Sequence, residues 1–152
     1  MLPLSELLPH KAPMILLSGY EEPHADGTVE AYVDVDLSSP FYERSLDGVP
    51  SCVAVEYMAQ TMALFVGLHR RRQGLGPQLG FVLGSRRMET TIPCFRRGER
   101  YRVRTTCAYQ DESFGAFDCE IIDRDDAVVA QATLSAFQPE GEITEEKIKE
   151  FT

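Results

Sequence analysis

The chain has 152 residues, four cysteines and a formal net charge of −9. That length suits one compact domain that can bury a core without disulfides or metal, and the acidic balance argues against a general nucleic-acid binder, because phosphate recognition needs a basic footprint. Cys52, Cys94, Cys107 and Cys119 form no CxxC pair and have no histidine at ligand spacing, so the expectation is reduced, mostly buried thiols in a cytoplasmic protein with no metal or redox cofactor.

Residues 4–8 (LSELL) read as a short amphipathic turn that Ser5 can cap, ended by the two prolines of PHKAP. The N-terminal segment has no signal-peptide apolar region. Residues 14–19 and 28–37 read as the two strands of a hairpin about the turn PHADG, with Val29, Ala31, Val33 and Val35 on one face. The run SSPFYERSLDGVP reads as a loop. A long helix is expected over 52–72, with apolar residues around so much of its circumference that it must be nearly enclosed. Glu56, Gln60 and Thr61 interrupt it, so no membrane span is expected. Arg70, Arg71 and Arg72 suit the negative end of its dipole, and the glycines and proline of QGLGPQ stop it.

Four further strands are expected at LGFVLGSRRMETT, RYRVRTTCAY, SFGAFDCEIID and AVVAQATLSAFQ. Tyr101, Val103, Thr105, Cys107 and Tyr109 share one face of the second of them. A short helix is expected over 144–151. Two strands, one buried helix and four strands give an α+β architecture, an antiparallel sheet wrapped around a long central helix. The open edges of such a sheet favour a dimer.

Charge is unevenly placed. Between residues 70 and 104, ten arginines, including Arg86, Arg87, Arg96 and Arg97, face only Glu89 and Glu99; this segment is +8 and the rest of the chain −17. Such an excess either docks an acidic partner or decorates solvated strands.

Glu56 stands out chemically. A carboxyl in an apolar helix is costly if charged and unpaired, so burial would favour a neutral form that can donate a proton; alternatively it faces solvent near the positive helix start. His10, held between prolines, is a candidate base, while His24 and His69 read as solvated.

LLPHKAPMILL resembles the opening of the bacterial 3-hydroxyacyl-[acyl carrier protein] dehydratases. VPSCVAVEYMAQT is similar to their central-helix motif, and GFVLGSRRMETTIPCFRRGERYRV resembles their later segment. The likeness runs over 4–137 and implies a single hotdog domain over 1–152 with its core at about 4–138. Within that group the patterns LPH..PM.LL and E.MAQT resemble the divergent dehydratases associated with aryl polyene synthesis. The resemblance implies dehydration of a 3-hydroxyacyl thioester delivered by an acyl carrier protein. Glu56 carries over as the acid. The histidine that such dehydratases hold in the loop before the helix has no counterpart in PFYERSLDGVP. Three explanations follow: His10 is the base, a paired subunit supplies it in a homodimer or heterodimer, or the chain is a noncatalytic hotdog subunit supporting an active partner. Thioester hydrolysis is a further reading. In the enzyme reading the amides of Ser51, Cys52 and Val53 hold the oxyanion, Gln60 orients Glu56, and Arg70, Arg71, Arg72, Arg86, Arg87, Arg96 and Arg97 dock the acidic carrier. Met58, Met62, Phe65, Phe81 and Val82 either line an acyl tunnel or belong to the core.

Overall fold

A computed structural model describes residues 1–138, apart from the side chain of Phe81; the helix expected over 144–151 lies outside them. In chain order the elements are α1 (Leu4–Leu7), β1 (Gly19–Tyr20), β2 (Val29–Asp34), β3 (Gly48–Pro50), a 3-10 turn (Ser51–Val53), α2 (Ala54–Arg72), β4 (Phe81–Thr90), β5 (Cys94–Arg96), β6 (Arg100–Gln110), β7 (Phe114–Ile122) and β8 (Val128–Phe137). Six strands form one sheet in the order β1-β2-β6-β7-β8-β4, every neighbouring pair antiparallel.

The period-two pattern decides which face is buried. Val29, Ala31 and Val33 lie opposite Thr105, Val103 and Tyr101, and Phe117, Cys119 and Ile121 opposite Leu134, Ala132 and Ala130. All of these are buried, and they pack on Ala54, Tyr57, Met58, Thr61, Met62 and Leu64 of α2. The sheet therefore wraps the helix, as the element order implies. By length and composition the stretch Ser51–Arg72 would pass for a membrane span, yet its apolar residues serve the core of this domain. At its C-terminal end Gly74 adopts φ 75° and the Leu75 N–H closes back on the Arg70 carbonyl at 3.0 Å, a left-handed stop of the kind glycine permits.

Four local expectations need correction. Of the apolar run 14–19 only Gly19 enters the ladder, with Tyr20 beside it, because the backbone of Met14 and Leu16 is bonded to a helix side chain instead. The run read as a loop contains β3, which pairs with β5 in a separate two-stranded sheet. The helix begins as a 3-10 turn. Tyr109 is 54 % exposed rather than aligned with Val103: the register shifts between Cys107 and Tyr109, and an extra residue in one strand carries the next side chain off its face.

On the outer face the arginines of β6 meet acids. Arg100 binds Asp34 at 2.6 Å and lies 4.0 Å over the Tyr32 ring. Arg104 reaches the buried Glu30 at 3.2 Å, and Arg102 pairs with Glu30 and Asp126. Near the N-terminus, α1 lies directly on α2: a β-carbon on Gly67 would sit 2.1 Å from the Leu7 carbonyl oxygen.

Two measurements probe the core. Leu134→Ala, at a site with no exposure, should cost about 2–5 kcal/mol in urea unfolding, the range for buried leucine truncations. Burial pushes the Cys119 thiol up to about 11, against the acceptor contact with Thr105, so alkylation of the native chain should modify exposed Cys52 well before Cys119. Since the folded thiol holds its proton more tightly than the unfolded one, its contribution to stability is complete below pH of about 9 and is lost as pH rises toward 11.

Candidate active site

Glu56 and Gln60 lie one turn apart on α2 and so share a face. Gln60 has no exposure. Its Oε1 accepts the Leu16 N–H at 2.9 Å, while Nε2 donates to the Met14 carbonyl at 2.7 Å and to Glu56 Oε1 at 3.0 Å. One buried carboxamide thus binds the leader segment to the helix and holds the carboxyl. An amide nitrogen can only donate, so Glu56 Oε1 accepts here, and a proton on this carboxyl is better placed on Oε2, which leaves the carbonyl oxygen as the acceptor.

The same leader carries His10, whose Nε2 stands 3.6 Å from Glu56 Oε1; the two side chains are 26 % and 40 % exposed. That separation is an ion-pair distance rather than a direct hydrogen bond, and such contacts tighten when substrate binds. Nδ1 of His10 is buried and has no hydrogen-bond partner among the described residues. Of the two positions open to Glu56, buried or facing solvent, it takes one between them, partly exposed. It sits on the rim of a cavity.

This cavity, about 290 Å³, takes His10 and Glu56 into its wall together with Met62, Ala63 and Val66 of α2, Val82 of β4, Phe117 of β7 and Ala136 of β8. Along the helix, Glu56 and Val66 are ten steps apart, about 15 Å. Gln78, Gln110, Asp111, Ser113 and Gln138 also line it, from turns and strand ends that no spacing in the sequence singles out. Asp111 is fixed there because its Oδ1 accepts the N–H groups of Ser113 and Phe114 at 3.0 and 2.7 Å, a turn that aspartate builds through its own side chain; those bonds hold its carboxyl below the usual carboxylate range.

Of the expected site residues, the structure brings His10, Glu56 and Gln60 together but leaves Ser51, Cys52 and Val53 outside the cavity wall. The β3–β5 ladder ends at Pro50 and Cys94, and the next amide continues that pairing, Ser51 N–H to Pro93 carbonyl at 3.2 Å; Cys52 is exposed. Met62 and Val82 line the cavity, whereas Met58 is fully enclosed in the core. Phe65 packs edge-on against Phe117 at 5.3 Å and faces a second cleft; the side chain of Phe81 lies outside the described ones. Among the expected docking arginines, Arg97 is bound to Asp47 at 2.7 Å, Arg71 to Glu6 at 3.7 Å, and Arg70 to the Gly76 carbonyl and Gln78. Arg72, Arg86, Arg87 and Arg96 are exposed and have no acid partner among the described residues. His24 and His69 are exposed, as expected.

The sequence pattern of the ApeP-like family, described as ApeP dehydratase, matches residues 2–149. The chain belongs to the ApeP-like dehydratase family. Among solved structures, a chain of the dehydratase heterocomplex ApeI:P from Xenorhabdus doucetiae is similar to it at 29 % identity, with a TM-score of 0.88 over 99 % of this chain and 97 % of that one. A hypothetical thioesterase with coenzyme A from Streptococcus pneumoniae TIGR4 matches at 18 % identity and TM-score 0.61, over 85 % of this chain and 91 % of that one. The PaaI protein of the Escherichia coli phenylacetic acid degradation operon matches at 14 % and 0.59, over 78 % and 77 %. These last two share the fold alone, which is the hotdog fold. No curated protein matches the chain.

Gln60→Ala should leave the buried Leu16 N–H without a partner and hand the Met14 carbonyl to solvent. The expected loss is about 1–3 kcal/mol for the orphaned buried donor, read from denaturant unfolding, alongside a fall in any turnover that depends on Glu56.

Proposed function

We propose that this ApeP-like dehydratase removes water from 3-hydroxyacyl thioesters presented on an acyl carrier protein, in aryl polyene synthesis in the cytoplasm. The observation that carries this reading is the imidazole of His10 and the carboxyl of Glu56 side by side on the wall of a largely apolar cavity. Elimination breaks a C–H bond next to the thioester carbonyl and the C–O bond beyond it, forms a C=C bond and releases water. His10 Nε2 takes the proton; Glu56, protonated on Oε2, gives one to the departing hydroxyl. Gln60 is the positioning residue that keeps Oε1 an acceptor. Met62, Val66 and Val82 flank the acyl chain. Ser51, Cys52 and Val53 have no part in this scheme.

The carrier partner is acidic in this reading, and Arg72 and Arg96 offer it cationic surface that no acid of the described residues neutralises. The Xenorhabdus doucetiae relative belongs to a heterocomplex; in this reading a second hotdog subunit covers the edge of the sheet that β4 forms among the described strands. Val82 belongs both to that edge and to the cavity wall, so a subunit there would help close the site. The half-open position of Glu56, 40 % exposed in one chain, favours as second reading a half-site subunit completed by its partner. Thioester hydrolysis rests only on distant likenesses of fold.

Intact-protein mass spectrometry of a 3-hydroxyacyl carrier thioester incubated with the chain separates these readings. Loss of one water supports dehydration, release of free acid supports hydrolysis, and loss of water only after a second hotdog subunit is added supports the half-site role. His10→Ala and Glu56→Gln should each slow dehydration by about 10²- to 10⁴-fold, the range for one acid or base group. Full activity in the His10 variant would reject His10 as the base.

A further inference from the structure

Resting on the subunit pairing just proposed, we infer that Arg86 and Arg87 on the free edge of β4 oppose pairing of this chain with its own copy and select a partner strand that carries carboxylates. Among the described residues β4 is hydrogen-bonded to β8 alone and ends the sheet. It leaves Val82 and Leu83 45 % and 61 % exposed, apolar surface that an uncovered sheet edge ordinarily avoids. Near the middle of the strand stand Arg86 and Arg87, exposed and without an acid partner among the described residues. The register shifts between Arg86 and Glu89, and Arg87 adopts φ 54°.

Two copies meeting edge to edge about a two-fold axis would present the same strand to itself. In a ten-residue strand, an axis that preserves most of the ladder passes within about one residue of Ser85 and Arg86, at about 3.4 Å per residue. With the axis between Ser85 and Arg86 the two copies of Arg86 would stand about 3.4 Å apart along the seam and the two of Arg87 about 10 Å apart, which puts the Arg86 pair well inside the screening length of about 8 Å at physiological salt. The next acid along the strand, Glu89, lies beyond the register shift and already accepts the Gln131 amide at 2.9 Å. Like charges placed opposite each other across strands are destabilising. An acidic strand in the same place turns the arginines into charge-assisted contacts and leaves Val82 and Leu83 covered. The partner is therefore a different chain whose edge strand is acidic opposite Arg86 and Arg87.

The full chain supplies its own probe for an acidic edge. Sedimentation equilibrium and native mass spectrometry would compare the native protein with R86Q/R87N and R86E/R87D, asparagine and aspartate being chosen at 87 because they tolerate positive φ. At low salt R86Q/R87N should self-associate at least about tenfold more tightly than the native chain. That gap should close near 1 M salt, where the screening length falls to about 3 Å. An equimolar mixture of native chain and R86E/R87D should form a mixed dimer, resolved by mass, in preference to either homodimer and weakened by salt. Equal self-association of the native and neutral chains at both salts, or a mixture without a mixed dimer, overturns the inference. Association is read here without substrate, so this result and that of the dehydration assay stand or fall separately.

Discussion

The arrangement of the site depends on one buried carboxamide. Gln60 is fully enclosed, and a side-chain amide in such a place is tolerable only if its donors and acceptor are matched. Its oxygen and both of its N–H groups are used, two contacts going to the leader backbone and one to Glu56. The leader cannot slide along α2 without breaking that set. His10, four residues before Met14, is carried by the same leader, so the polar joint that locks the chain together also sets the spacing of the two groups able to exchange protons.

What the sequence revealed and what it hid follow from the range of the interactions. The strands β2, β6, β7 and β8 were legible because alternation is a local property: each second residue must be apolar if one face of the sheet covers a helix. The central helix was legible for the same reason. Glu56 and Gln60 were visible as a pair because four residues make one turn. By contrast, β3 and β5 are three residues each and 43 residues apart from end to start, and no periodicity exists in so short a piece. The departure of Tyr109 from its face comes from a register shift against β7, which local alternation does not encode. The Ser51 amide, expected from its place at the helix start to face an oxyanion, is bonded to the Pro93 carbonyl, a partner forty-two positions away that no local pattern reveals.

The arginine-rich segment shows how charge counted along a chain differs from charge arranged in space. Part of its excess is neutralised by acids from elsewhere: Asp34 under Arg100, Glu30 between Arg102 and Arg104, Asp47 against Arg97. These contacts staple β2 to β6 and the loop before β3 to the residues after β5. What remains as exposed cationic surface without an acid partner among the described residues is Arg72 at the helix end, Arg86 and Arg87 on the β4 edge and Arg96 in the two-stranded sheet. A protein with a net charge of −9 therefore presents positive charge only at selected places.

Gly67 gives this architecture an unexpected point of control. The Leu7 carbonyl rests where a methyl group would otherwise be, so the first turn of the protein settles into a notch cut in the helix three turns below Glu56. Filling that notch would lift the leader from its seat and swing the imidazole off the carboxyl without touching either of them. The chemistry at one end of the helix is in this sense gauged by an empty space near the other.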